Sequence, residues 1–339
     1  MRQPQKSKFG EVVFRQKLVD QHLGKNKSFP GQPDQKQILD VLKERVDSSR
    51  KIFKNLQKRN LTLSPFLEIG AEKCQRASLL SSGFKSPGFA LDISFESLKS
   101  AAYFAKKLKL NKLPVLICAD AENLPFADNS LPFVFAFETL HHFPDPRKTL
   151  EEMKRVTANN GYVFFSEEPV KQTVNLPVWR RDFNLTKYEK ILKKLFILPF
   201  LSTLGASETR YGILENVFPV STWQSCLKMF EEIETIYEPV FFGPKSKVGR
   251  NNQFINPLTR FLIGLQGGGI TALAKIKKPQ NPPTVKNVYD LLACPKCRKK
   301  LSRNISTFNC KSCKQTYPIK DKVIFLLNPV LRKKLYPNI

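Results

Sequence analysis

Between residues 66 and 166 five short apolar runs alternate with stretches of helical character, and that alternation leaves few folds open to the chain. Phe66 to Gly70 reads as a strand ending in glycine, Phe89 to Asp92 as a strand ending in an acid, and Val115 to Ala119 as a strand followed by Asp120. Phe133 to Phe137 and Tyr162 to Ser166 make a fourth and a fifth, the last entered through an Asn160-Gly161 turn. Runs this short, bounded by Gly and Asp, are strands and not helices. Ser94 caps a helix through about Leu108, and Asp145 followed by Pro146 opens another through Val156. Helical crossovers between successive strands force those strands parallel and lay helices on both faces. The predicted fold is therefore α/β, a Rossmann-like open, mostly parallel sheet with helices on both faces.

The flanks divide the chain. Residues 1–33 are polar, with prolines at 4, 30 and 33, and read as an irregular arm. Ile38, Leu42, Val46, Phe53 and Leu56 recur near helical spacing, which predicts an amphipathic helix over 35–59. Residues 170–220 break the alternation; they hold the apolar run Leu195 to Leu201, interrupted by Pro199 and preceded by Lys190, Lys193 and Lys194. A helix near 221–230 and strands near 232–238 and 270–276 then complete the sheet. Pro279 to Pro283 reads as a linker. The expected organisation is an arm and helix over 1–60, a catalytic domain over 61–278 with a substrate-covering insertion near 170–220, a linker over 279–287 and a small module over 288–330.

In an open α/β sheet the ligand lies across the carboxyl ends of the strands, where Glu68, Gly70, Asp92 and Asp120 should converge. A glycine after the first strand lets backbone approach a ligand, and a carboxylate after the second can accept both hydroxyls of a ribose. A dinucleotide would need G-x-G-x-x-G to seat its pyrophosphate, and this chain has Gly70-Ala71-Glu72-Lys73-Cys74, in which Glu72 would repel phosphate. S-adenosylmethionine, with a sulfonium, an ammonium and no phosphate, suits an acidic crevice.

On these residues the chain resembles the class I methyltransferases, in particular the family that methylates quinones, sterols, sugars and other small molecules. The resemblance covers about 64–170 and is weak outside it. Leu67-Glu68-Ile69-Gly70 is similar to that family's first motif, Asp92 to its ribose acid, and Asp120-Ala121 with Glu122-Asn123-Leu124-Pro125-Phe126 to its adenine-side segment. Phe137-Glu138-Thr139-Leu140-His141-His142-Phe143 resembles its fourth-strand segment. The resemblance implies that Glu68, Gly70, Asp92, Asp120, Ala121 and Glu138 contact the cofactor. The chain departs from it where Glu72 and Cys74 replace the second and third glycines of the first motif, and where Pro132 replaces the acid that opens strand four.

Methyl transfer from a sulfonium is an in-line displacement in which positioning can supply most of the acceleration. Candidates for chemistry are His141 and His142, after strand four, and Glu168 beside Glu167, after strand five. Each has a structural alternative: a histidine there also packs or caps a turn, and the acids also serve as loop residues. Tyr211 and Glu215, in the insertion, are weaker candidates.

Cys294-Pro295-Lys296-Cys297 and Cys310-Lys311-Ser312-Cys313 form two C-x-x-C pairs. Four thiolates at such spacing close a tetrahedral shell, which reads as structural Zn²⁺ with no open position. A module of this size has too little core to fold alone, so the metal would stabilise it. Over 288–328 the segment resembles the Trm112-like family, whose stand-alone members activate methyltransferases that modify tRNA, rRNA and release factors. Here such a partner would be joined in cis. On this reading Cys310→Ser unfolds the module and leaves donor binding by the sheet largely intact.

The chain carries 56 Lys and Arg against 29 Asp and Glu, a formal charge of +27. A field of that size is open to two readings, nonspecific contact with RNA or an anionic membrane alongside a small-molecule or lipid-linked acceptor, or basic residues spread along the chain and merely solvated. No stretch reaches the length of a transmembrane segment and no secretory leader is evident, which predicts a cytoplasmic protein, peripheral to the membrane if the lysine-flanked run at 190–201 touches one. Two competing functions are an RNA methyltransferase and a non-catalytic zinc-ribbon adaptor on an inactive fold.

Overall fold

The computed structural model describes residues 3–25, 32–173, 191, 194, 195, 216–249, 254–282 and 287–339. In chain order its elements are α1 (Gln3–His22), α2 (Gln35–Lys58), β1 (Phe66–Ile69), α3 (Gln75–Gly83), β2 (Gly88–Asp92), α4 (Phe95–Lys107), β3 (Val115–Cys118), β4 (Leu131–Phe137), α5 (Pro146–Val156) and β5 (Thr157–Val170). There follow α6 (Val220–Leu227), β6 (Glu232–Pro239), β7 (Ser246–Val248), α7 (Pro257–Gln266), β8 (Gly268–Lys275), β9 (Leu301–Arg303), β10 (Thr307–Cys310), β11 (Thr316–Lys320), β12 (Val323–Phe325) and α8 (Pro329–Leu335). They group into a larger unit, residues 39–136, 147–164 and 275–339, and a smaller one, residues 1–38, 137–146 and 165–274.

The larger unit holds the expected parallel sheet. β1 pairs in parallel with β2 on one side and β4 on the other, and β2 with β3. All four residues of β1 and all five of β2 are buried, as strands covered on both faces must be. Ser94 caps α4, its side chain accepting from the Ser97 amide. α2 lays its apolar stripe on the sheet: Phe53 meets Phe84, Phe133 and Phe135 edge-on.

The C-terminal segment continues this sheet. β12 pairs in parallel with β3, Val323 opposite Leu116 and Phe325 opposite Cys118, and β11, β10 and β9 follow in antiparallel order. Within the larger unit the strand order is β4-β1-β2-β3-β12-β11-β10-β9. The run Val323 to Leu327 is buried throughout. At about 1.5–3 kcal/mol for each large apolar side chain taken from water, that run is a substantial reason for the segment to stay docked.

In the smaller unit the order is β7-β6-β8-β5. Trp223 of α6 is fully buried, stacked on Phe165 at 5.6 Å and edge-on to Phe218.

Two sequence expectations change. Residues 3–22 are a helix and not an irregular arm: Phe14, Leu18 and Val19 are buried on one side, and Pro4 sits in the first turn, where a missing amide costs nothing. Asn160-Gly161 does not turn the chain into strand five but lies inside it, with Asn160 at φ 60° and its amide bonded to Ile276 O at 2.8 Å. Gly161 is required there, since a Cβ would stand 2.7 Å from Pro132 O. The insertion near 170–220, with Lys190 to Leu201, Tyr211 and Glu215, falls almost wholly outside the described residues.

Candidate functional site

The carboxyl end of β1 runs into a loop that repeats a left-handed conformation at alternate residues: Gly70 at φ 67°, Glu72 at 49° and Cys74 at 58°. These are the three positions at which the resembled motif carries glycine. The backbone keeps the glycine conformation although two side chains have been added, at a strain of order 1 kcal/mol or more for each. Glu72 offsets part of this through its contacts. Its side chain meets Lys73 Nζ at 2.5 Å and Arg45 of α2 at 3.4 Å, so its charge is paired at the loop. Lys73, at 1% exposure, is buried beneath it.

The loop is tied to the acid after β2. Glu72 N donates to Asp92 Oδ2 at 2.8 Å and Ser94 N to Asp92 Oδ1 at 2.8 Å, so two amides set the plane of a buried carboxylate. A carboxylate offers about four lone-pair sites, which is what permits an acid held this way to accept from ribose hydroxyls as well. Asp120 is brought beside it, since Ala119 N donates to Asp92 O at 3.0 Å. Asp120 Oδ1 accepts from the Glu122 amide at 3.1 Å, and Ala121 is buried.

Glu68 is placed differently from its neighbours. Its carboxyl accepts from the Ala77 amide at 2.8 Å, satisfying an otherwise unpaired donor in the first turn of α3. Burial pushes its pKa up to about 8, against the opposing pull of Arg76 and the Ala77 amide. The folded value lies above the ordinary 4.5, so the folded chain holds a proton that the unfolded chain releases. Stability from this group is full below the unfolded value and is lost as pH rises through the folded one, at about 1.4 kcal/mol per pH unit. Glu68→Gln is therefore expected to flatten the fall in melting temperature between about pH 5 and pH 8. Thermal melts at matched ionic strength check this; an unaltered slope would remove the assignment.

In the smaller unit Glu168 is completely buried and serves the turn after β4. Its Oε1 accepts from the Thr139 amide at 2.7 Å and the Leu140 amide at 2.8 Å, and its Oε2 from the His141 amide at 3.1 Å. With its proton on Nδ1, His141 donates to the same Oε2 at 2.9 Å. Burial alone would raise the carboxyl's pKa, but His141 and the amides outweigh it and hold Glu168 below the usual carboxylate range. This is the base-and-orienter arrangement, in which a carboxylate fixes an imidazole tautomer and aims the other ring nitrogen. His142 lies beside it, ring centroids 4.2 Å apart and planes tilted by 38°. Glu138 and Glu167 are exposed and adopt positive φ. Asn216 closes the turn from outside, donating to His141 O at 3.1 Å and Phe143 O at 2.9 Å.

The four cysteines come together at the C-terminal end of the larger unit, with their sulfurs within 4.8 Å of one another. Cys294 Sγ lies 3.5 Å from Cys313 Sγ, and Cys297 Sγ lies 3.4 Å from Cys310 Sγ. A tetrahedral zinc with about 2.3 Å bonds spaces its sulfurs about 3.8 Å apart, so the set fits such an ion. The two knuckles are near copies. Arg298 N donates to Cys294 O and Lys314 N to Cys310 O, and both residues have positive φ. Tyr317 Oη lies 3.1 Å from Cys294 Sγ, placed to donate to a thiolate.

The cysteine-bearing segment also grips the edge that carries Asp92 and Asp120, which sequence reasoning missed. Asn123, in the segment after Asp120, donates to Pro295 O at 2.8 Å, Ala293 N to Pro125 O at 2.9 Å and Ala127 N to Leu291 O at 2.9 Å. Arg298 reaches Glu152 at 3.1 Å, and Glu152 accepts from the Leu124 amide at 2.8 Å. On the other side Tyr336 bridges the turn that carries Asp92: its hydroxyl donates to Ile93 O at 2.7 Å and accepts from Phe95 N at 2.9 Å. Arg45 was missed as well; it faces Glu72 from a helix that the sequence marks only as amphipathic.

Residues 67–165 match the methyltransferase domain family, and residues 286–321 match the Trm112p-like protein family. Among characterised relatives, the demethylmenaquinone methyltransferase of Paenarthrobacter aurescens is 44% identical over 66 residues, 19% of this chain and 24% of that protein. The phthiotriol/phenolphthiotriol dimycocerosates methyltransferase of Mycobacterium tuberculosis is 29% identical over 99 residues, 29% of this chain and 36% of that protein. The chain thus spans only about a quarter to a third of these two relatives. The malonyl-[acyl-carrier protein] O-methyltransferase of a Marinomonas species is 29% identical over 55% of this chain and 69% of that protein. Among solved structures, a SAM-dependent methyltransferase of Thermotoga maritima aligns with a TM-score of 0.39 at 17% identity, over 70% of this chain and 92% of that one.

Proposed function

We propose that this chain, with its methyltransferase domain over 67–165 and its Trm112p-like domain over 286–321, moves a methyl group from S-adenosylmethionine to a small-molecule or lipid-linked acceptor. The carrying observation is the carboxylate of Asp92, fixed by two backbone amides beside Asp120 at the carboxyl edge of the sheet. An edge that presents acids suits a cationic, phosphate-free cofactor and repels a dinucleotide. Asp92 would take the ribose hydroxyls, the segment from Asp120 and Ala121 the adenine side, and Gly70 the close backbone approach. Glu68 supports the reading by holding the start of α3 in place, while Glu138 joins it through the resemblance alone. When bound, the cofactor supplies an already activated methyl group, so the chain's task is orientation and exclusion of water.

His141, held through Nδ1 by Glu168, would accept the proton of an acceptor hydroxyl or carbon acid, with His142 beside it; Glu168 acts through His141. Cys294, Cys297, Cys310 and Cys313 would hold a structural zinc.

The relatives are named as methyltransferases of demethylmenaquinone, of phthiotriol and phenolphthiotriol dimycocerosates and of malonyl-[acyl-carrier protein], and none of them of RNA, which favours a small-molecule or lipid-linked acceptor. The deciding experiment incubates purified protein with methyl-labelled donor and a cell extract, then separates lipid, small-molecule, RNA and protein fractions. Label in the lipid or small-molecule fraction is expected. Label in RNA would promote the RNA reading, and absence of transfer together with absence of donor binding would leave the adaptor.

A further inference from the structure

Between Asp120 and Ser130 the chain belongs to no helix or strand, yet Leu124, Pro125 and Phe126 are buried. Buried backbone without a ladder must find its hydrogen bonds elsewhere. Two side chains of α5 supply many of them. The Leu124 amide donates to Glu152 Oε2 at 2.8 Å, while Arg155 donates from Nη2 to Leu124 O at 2.8 Å and from Nη1 to Phe126 O at 2.9 Å.

Arg155 is used to its limit. Its Nε and Nη2 grip the two oxygens of Glu152 at 2.8 Å each, one turn back on the same helix, and Nη1 also pairs with Asp128. Together with the two carbonyls, these contacts occupy every N–H donor of the guanidinium, a fit that lysine, with three donors and no fixed fork, cannot reproduce. Burial would raise the Glu152 carboxyl, but Arg155 and Arg298 outweigh it and hold it below the usual carboxylate range, so the clamp is an ion pair at neutral pH. Ion pairs drawn out of water add little net stability. What this one supplies is geometry.

The clamped residues lead directly to the acid after β3. Asn123 N donates to Asp120 O at 3.0 Å and Glu122 N to Asp120 Oδ1 at 3.1 Å, so the chain from Asp120 to Leu124 is one hydrogen-bonded turn whose far end is set by α5. We infer that Arg155 and Glu152 are positioning residues for the donor: by fixing Leu124 and Phe126 they set the turn that presents Asp120 and Ala121 to the adenine. The inference rests on the donor proposed above, with Asp120 on its adenine side.

The test reads base recognition apart from folding. Calorimetry compares S-adenosylmethionine with two analogues, one carrying hypoxanthine in place of adenine and one lacking the ribose hydroxyls. The exocyclic amino group of adenine donates to a carboxylate and the oxygen of hypoxanthine does not, so the parent is expected to prefer the natural donor over the first analogue by about tenfold or more. Arg155→Lys keeps the charge and loses the fork. It is expected to bind the natural donor about tenfold more weakly and to reduce the base preference to about threefold or less. Its preference over the second analogue, set by Asp92 on another loop, stays as in the parent. Glu152→Gln, which still offers the Leu124 amide an oxygen, is expected to move the base preference the same way by a smaller factor, and it decides the matter if Arg155→Lys shows no cooperative melting. A parent that binds no donor removes the proposed cofactor and this inference with it. The inference alone is overturned if a donor-binding parent shows no base preference, if both variants keep that preference, or if base and ribose preference fall together, the mark of a general loosening.

Discussion

Cys310→Ser is expected to weaken donor binding roughly a hundredfold while removing the metal, although the mutated side chain belongs to the cysteine cluster and not to the cofactor edge. The sequence alone leads to the opposite expectation, because four thiolates that close the coordination shell leave the metal no direct part in the chemistry. The structure places that module's hydrogen bonds on both sides of the acids: Asn123 to Pro295 beyond Asp120, and Tyr336 to Ile93 and Phe95 beyond Asp92. A segment this small without its metal has too little core to persist, so these contacts fail together. Three hydrogen bonds at about 0.5–1.5 kcal/mol each make about 3 kcal/mol, or about two decades of affinity. Calorimetry with S-adenosylmethionine, paired with metal analysis, checks the result. Tyr336→Phe serves as a control that keeps the cysteines: losing two of the three bonds, it is expected to bind the donor about thirtyfold more weakly with full metal content. Unchanged donor affinity in a metal-free Cys310→Ser protein would separate the segment from the site.

Asp92→Ala is expected to cost about 1.5–3 kcal/mol of donor binding, about 10- to 150-fold. The substitution also leaves the Glu72 and Ser94 amides without their acceptor, so a loss of affinity alone does not separate a ligand contact from a disturbed loop. The distinction comes from a donor analogue lacking the ribose hydroxyls. The parent protein is expected to bind the analogue more weakly than the natural donor, and Asp92→Ala to bind the two alike. If the variant discriminates between them as sharply as the parent, Asp92 does not touch the ribose.

The core of the fold was legible because it rests on local signals. Short buried runs between helix signals give β1 to β4, Ser94 caps α4 as its hydroxyl suggests, and Pro146 opens α5. The two C-x-x-C pairs foretell the cluster that the four sulfurs form. What was illegible depends on partners distant in sequence. Val323 to Phe325 looks like any buried strand, and nothing in its residues points to β3. Glu68 and Asp92 are both acids toward strand ends, yet one accepts from the first turn of α3 and the other ties down the loop after β1, a difference set by which amides the fold brings to each. Glu168 was visible as an acid after a strand, but not its service to three amides and a histidine. The N-terminal helix was missed because its flanking prolines outweighed the spacing of Phe14 and Leu18.

The parallel pairing of β12 on β3 carries a consequence for how the protein is made. Strands whose partners lie far along the chain pair late, because loop closure must precede the contact. During synthesis β3 therefore leaves the ribosome as an open, apolar edge and waits for Val323 to Phe325, which are made long after it. Such an edge invites pairing with other chains. With the zinc proposed for the four cysteines, metal supply then governs more than the cysteine-bearing segment: cells starved of it are expected to accumulate this protein as aggregate, with the nascent sheet as the adhesive surface.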